Sequence, residues 1–463
     1  MRSEHSLNPY TSPNEPTREE GPSSELIRSN GRFARWQVTV LVSMYLGYAA
    51  FMLCRNTLIA SSAAMVEDPA LDMDTESFGR LMSWHSAGAI MGKLVTGPGA
   101  DILGGRRMFL IALSLTALAN VGFAFGSSFA VFAAFNFFGQ FAKAGGWPAM
   151  TKLVRDWYPE QRYGQVWSII STSSRVGTIA AGLLLGYLLS LISWRAVFAV
   201  SAVMTGGVVV LLYFFLKERP EQVGLLPLAD HQQDQAAAAE EVTVAAHPFD
   251  PLTLPQVCWQ FARSARFWSI CFSLVFLTIM MDFLTFIPIY LSTSLGISSS
   301  QASMAGSSFP AGMFAALVLT SFIYDGLSKR ALIWTLGGLL AISCLCVLML
   351  WRLDIVPKQG RTPVAIGTIF VLGLTISPAY YIPMSVFSVD FGGKHSGFLV
   401  SLIDVFGYSG AMLFNFFGGS IALYYGWTVF LGGLLTIALL ATAFMVAFLT
   451  LDWRAAGRAG PFE

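Results

Sequence analysis

Charge is scarce in this 463-residue chain. Asp, Glu, Lys and Arg together make up 12% of it, where a soluble globular domain carries about 25%. A mean hydropathy of +0.61 points the same way, and the shortage excludes a water-soluble design. Cysteine is also rare. Cys54, Cys258, Cys271, Cys344 and Cys346 show no spacing typical of a zinc or redox pair, and they read as small buried hydrophobes. There is no GxGxxG after a strand, no Walker motif and no HExxH. Neither an enzyme nor a cofactor, a metal site or nucleic-acid binding is therefore expected. The first residues, "MRSEHSLNPYTSPNEPTREEGPSSELIRSNG", lack the apolar core of a signal peptide. They read as a disordered tail.

Long apolar runs fill the rest. A membrane-crossing helix needs about 20 apolar residues. Twelve candidates fall near 36–60, 77–100, 106–126, 128–155, 163–190, 194–216, 266–293, 299–324, 331–351, 364–388, 396–421 and 427–451. The predicted fold is an all-α membrane protein of two pseudo-symmetric six-helix bundles. The expected divisions are a tail (1–33), a first bundle (34–217), a linker (218–264), a second bundle (265–452) and a second tail (453–463).

Lys and Arg mark one side. Arg106 and Arg107 follow span two, Arg155 and Arg162 span four, Lys217 and Arg219 span six. Lys329 and Arg330 follow span eight, Lys394 span ten, Arg454 and Arg458 span twelve. The opposite connections "MVEDPALDMDTES", "GSS" and "LSTSLGISSSQ" have none, whereas Arg352, Lys358 and Arg361 break the pattern. By the positive-inside rule both termini are cytoplasmic, and a bacterial inner membrane is the expected location. The halves also repeat. "SWRAVF" (193–198) recurs as "GWTVF" (426–430), and "GADILGGRR" (99–107) is echoed by "YDGLSKR" (324–330). Internal repetition of two six-helix halves is a transporter architecture with its site at the midplane.

Several charges lie inside the spans: Arg55, Lys93, Lys143, Arg175, Asp282 and Asp404. A charge at a bilayer centre costs about 2.5–3.5 kcal/mol on insertion scales, so each points to a partner or a ligand. Arginine grips phosphate or carboxylate with a planar fork, and lysine adds a point charge. Two readings stand. The cations bind an anionic solute, or they pair internally with the aspartates, with Arg175 or Arg55 as partner. For the aspartates a proton-carrying role and an inert place in a polar crevice are open too. His85, inside span two, reads as a packing histidine or a proton relay.

Four stretches, "GYAAFMLCRN" (47–56), "GPGADILGGRR" (97–107), "GGWPAMTKLVRDWY" (145–158) and "WSIISTSSRVG" (167–177), with "KERPEQVGL" after span six, make the first half resemble the major facilitator superfamily. Within it, the chain is similar to the organophosphate:phosphate antiporters. The second half matches chiefly through "GFLVSLIDVFGYSG" (397–410). The resemblance implies that Arg55 binds substrate phosphate, with Tyr48, Lys93 and Tyr408 lining the same cavity. It implies alternating access, phosphate exchange and a monomer in the lipid bilayer. Departures accompany it. The family's second basic residue, in span seven, falls on Met280 or Met281. A family histidine falls on Ser174, beside Arg175, and a glutamine on Lys143. The expected function is secondary transport of a small anionic solute, an organophosphate or related organic anion. Alternatives are proton-coupled transport of another organic anion or zwitterion through Asp282 or Asp404, and a transporter-like sensor of a phosphorylated metabolite. Asp101 with Arg106 and Arg107, and Asp325 with Lys329 and Arg330, are expected to act as a conformational latch.

Overall fold

A computed structural model describes residues 22–227, 254–323, 327–392 and 396–457. Every long element is helical, and the chain makes twelve passes. The first six are Pro22–Val66, Thr75–Leu103, Gly105–Ala124, the broken pair Phe129–Lys143 and Gly146–Trp157, Tyr163–Leu189, and Trp194–Phe215. The second six are Ala265–Asp282 continuing as Ile287–Leu295, the pair Ser299–Gly306 and Ser308–Ile323, Lys329–Trp351, Arg361–Gly392, Ser396–Tyr424, and Gly426–Gly457. Among the described residues ten helices are long and apolar enough to span a membrane on their own. The other two passes are span two, which carries Glu76, Arg80, Lys93 and Asp101, and span four, which is broken in the middle.

The breaks follow the sequence. Pro148 has no amide hydrogen to return to the preceding turn, and Gly145 and Gly146 precede it, so span four breaks after Lys143. Pro288 stands just past the break in span seven, and a 3-10 turn at Phe283–Thr285 leaves Asp282 as the last residue of its helix. Span ten holds Pro378 and Pro383, with Tyr380 and Tyr381 between them.

Span one begins at Pro22, inside the stretch expected to be a tail. The linker contains a helix, Leu254–Arg263. On its near side it is tied down, because the Glu218 carboxylate accepts from the amides of Gly105 (2.6 Å) and Arg106 (2.9 Å) at the start of span three.

The repeat is visible in bonds. Trp194 Nε1 donates to Asp68 at the end of span one (2.8 Å), and Trp427 Nε1 donates to Thr293 at the end of span seven (2.8 Å). Each half thus pins its last span to its first by a tryptophan at the corresponding place.

The halves meet most closely on the face opposite the linker, called here the far face. A Cβ on Gly79 would lie 2.4 Å from the Asn415 carbonyl oxygen, and one on Gly419 2.3 Å from that of Thr75. Gly182 and Gly186 likewise press span five onto Ser307 and Met304 of span eight. Small residues permit this backbone approach. Tyr424 adds a hydrogen bond to Glu76 (2.8 Å), and Ser300 one to the Gly186 carbonyl (2.8 Å). The far face is shut.

Candidate functional site

The membrane-embedded charges converge between the halves. Arg55, on span one, is half-buried, and its Nε is buried without a partner. Its charge acts on Lys93, Lys143 and His85 of its own half and on Asp282 of the other. Beside it lies a cavity of about 20 Å³ lined by Asn120, Asn136 and Gln140, room for roughly one water.

Lys93 stands about two thirds of the way along span two, toward the linker face. It forms an ion pair with Asp404 of span eleven, and its Nζ lies 4.4 Å from the centre of the Tyr408 ring. Arg175 is almost fully buried at mid-span five. Its NH1 donates to the Ser171 carbonyl (2.7 Å) and to Ser174 Oγ (3.3 Å), and its guanidinium carbon sits 4.2 Å from the centre of the Tyr381 ring. A cation over an aromatic face is stabilised by roughly 0.5–2 kcal/mol. Lys143, at the break of span four, has no hydrogen bond or ion pair among the described residues; the charges of Arg55 and Lys93 act on it.

The expected arginine partners for the aspartates give way to a different arrangement. Asp404 pairs with lysine, because span two packs along span eleven and brings Lys93 opposite it, while Arg175 is held on Tyr381 and Ser171. Asp282 accepts a hydrogen bond from Asn415 Nδ2 and takes part in no ion pair among the described residues. Of the two candidates for the place of the family's second cation, Met280 is buried in an apolar cluster that includes residues of both halves, and Met281 packs against it.

Tyr48 packs edge-on against Trp147 (ring centres 5.5 Å), which in turn lies against Trp167 (4.8 Å). It is within electrostatic reach of Tyr408, Tyr381, Arg55 and Arg175. The four cations and two carboxylates are thus interleaved with an aromatic lining from both halves. Tyr380, Tyr381 and Asn415 were missed in the sequence. The Tyr-Tyr pair between two prolines of an apolar helix was the available signal for the first two.

His85 is buried and donates from Nδ1 to Asn136 Oδ1 (3.1 Å), while Asn136 donates to the Leu81 carbonyl (2.8 Å). That bond fixes a packing contact between spans two and four. At the linker face Arg106 bonds to the carbonyls of Leu216 and Tyr213 (2.6 Å each), and Lys152 to those of Ala100 and Asp101. Lys329 pairs with Asp452 at 3.4 Å. These contacts lie within one half each. The described bonds place no partner on the side chains of Arg107 or Arg330, and Asp325 lies outside the described residues. All five cysteines are free.

Residues 44–351 match the model of the Major Facilitator Superfamily. The chain is 23% identical over 433 residues to the "Probable hexose phosphate transport protein" of Chlamydia trachomatis, covering 90% of this chain and 91% of that one. It is 24% identical to the "Membrane sensor protein UhpC" of Salmonella typhimurium, over 68% of this chain and 72% of the other. With the "Glycerol-3-phosphate transporter" of Bacillus subtilis the identity is 22%, over 93% and 96%. The fold superimposes on the crystal structure of the D-xylose-proton symporter with a TM-score of 0.68 at 14% identity, over 88% and 97% of the two chains. The family model spans most of the chain, and the twelve helical passes agree with it. The chain belongs to the major facilitator superfamily of integral membrane transporters.

Proposed function

We propose that the protein moves a small phosphorylated organic anion across the membrane by alternating access, with Arg55 as the primary anion clamp. The observation that carries this is the unanswered charge between the halves. Four cations face two carboxylates, and neither Arg55 Nε nor Lys143 has a protein partner among the described residues. Buried charge without a partner is costly, and a phosphate dianion would balance the formal surplus of two. Lys93 and Arg175 add positive potential, and Tyr48 and Tyr408 orient the solute. The names of the relatives support a phosphate ester as cargo.

Two contacts between the halves, Lys93 with Asp404 and Arg175 over Tyr381, both use a cation that an incoming anion competes for. Binding would draw these cations onto the solute, loosen one set of contacts between halves and let the bundles rock. Asp101, Arg106, Arg107, Asp325, Lys329 and Arg330 would steady the linker face during that motion. Exchange for inorganic phosphate, a monomer, a bacterial inner membrane and cytoplasmic termini complete the reading. A second reading is proton coupling through Asp404 or Asp282, favoured by the Lys93–Asp404 bridge between the halves. The test is calorimetric titration of glucose-6-phosphate into purified protein. Wild type binds, and Arg55→Ala binds roughly ten- to a hundredfold more weakly, the effect of losing a charge-assisted contact. Equal binding by folded Arg55→Ala would remove Arg55 from the site.

A further inference from the structure

We propose that the preferred substrate is zwitterionic: a phosphate or phosphonate carrying an ammonium group, with the anion on Arg55 and the ammonium on Asp282. This rests on the transport reading above and narrows its substrate class.

The two poles of the site are unlike. On the first half, Arg55 has a buried Nε with no partner, and Lys143 adds an unpaired cation. On the second half, Asp282 has one hydrogen bond, from Asn415. Asn415 is fully buried, and with its amide donor on Asp282 its Oδ1 has no partner. That pole is therefore rich in acceptors, and among the described residues no cation pairs with it. Asp282 is also the last residue of its helix, where the helix dipole is negative and favours positive charge.

The Arg55 charge acts on Asp282, yet among the described residues the two form no ion pair. A bridge that merely held the halves together would be in contact, as Lys93 and Asp404 are. A guanidinium nitrogen without a partner and a carboxylate without an ion pair, facing one another in charge, suit a ligand with both signs of charge. An ammonium brings three donors to the Asp282 carboxylate, while a tetrahedral anion fits the guanidinium fork. Sugar hydroxyls donate as well, so charge and hydroxyl must be separated by the test.

The test titrates the full chain in nanodiscs with phosphoethanolamine, 2-aminoethylphosphonate, glycerol-3-phosphate and ethyl phosphate. The expected result is that both amine-bearing ligands bind about tenfold or more tighter than ethyl phosphate, and tighter than glycerol-3-phosphate. Asp282→Asn should remove that preference, read as the ratio of amine-bearing to ethyl phosphate affinity within each protein, and Asp282→Glu should keep it. Wild-type protein that binds ethyl phosphate or glycerol-3-phosphate as tightly as phosphoethanolamine overturns the proposal and leaves the transport reading standing. So does a preference that survives Asp282→Asn. Binding of none of the four overturns this inference, and if glucose-6-phosphate is not bound either, the transport reading falls with it.

Discussion

Under the proposed function, a bound anion answers the charge of Arg55. Among the described residues its Nε is buried without a partner and Lys143, on which its charge acts, has none either, an arrangement that a bound anion would relieve. Lys93 is a contrasting case, because its charge is already answered by Asp404. Removing one member leaves the other partly buried and unpaired. Asp404→Asn alone should lower the melting temperature more than the double change Lys93→Met with Asp404→Leu, a comparison that thermal unfolding in detergent makes directly. Equal losses would mean that the pair does not couple. Outside the membrane, Asp68 carries a pH dependence. The hydrogen bond from Trp194 Nε1, and then that from the Ala70 amide, hold its carboxyl below the usual carboxylate range. A depressed carboxyl stabilises the fold fully above its unfolded value and loses this as pH falls through the folded one. Wild type should therefore melt above Asp68→Asn at neutral pH, and the gap should close in acid; a gap independent of pH would contradict the assignment.

At the level of elements, the breaks in spans four and seven place chemistry. Proline and glycine set Lys143 at one helix end, and the turn before Pro288 sets Asp282 at another. The far face is closed by backbone against backbone at Gly79 and Gly419. Gly79→Val or Gly419→Val should prop that seam open, since a Cβ at either place already lies under 3.0 Å from a carbonyl oxygen. The measurement is labelling of a cysteine placed at Ser83 by a membrane-impermeant thiol reagent from the far side, in a cysteine-free background. Reactivity should rise severalfold. Unchanged labelling would mean that the seam tolerates the added bulk. That Gly79 and Gly419 form the closing seam was not legible in the sequence. That role depends on which helices face each other, and hydropathy does not report it.

For the whole molecule, hydropathy located the twelve passes, because a bilayer leaves little choice but long apolar helices; the ends agree to within several residues except at span one, whose helix starts at Pro22 rather than near residue 36. The embedded charges were equally legible, since each is conspicuous in an apolar run. Their pairing was not. Lys93 and Asp404 are 311 residues apart in sequence, and arginine partners were one of several options open for the aspartates. Tyr381 and Asn415 carry no net charge and vanish among aromatic and polar residues that any membrane helix tolerates. The repeat of Trp194 and Trp427 was readable, and the equivalent bonds to Asp68 and Thr293 give it a physical meaning.

The claim that organises these observations is that one cation clamp between the halves moves a phosphorylated anion. Its most direct test is uptake of labelled glucose-6-phosphate, glycerol-3-phosphate and phosphoethanolamine into phosphate-loaded and phosphate-free proteoliposomes, wild type beside Arg55→Ala. Uptake of at least one of the three that depends on internal phosphate and disappears in Arg55→Ala is the predicted result. Folded wild-type protein that takes up none of them, with or without internal phosphate, would contradict the account.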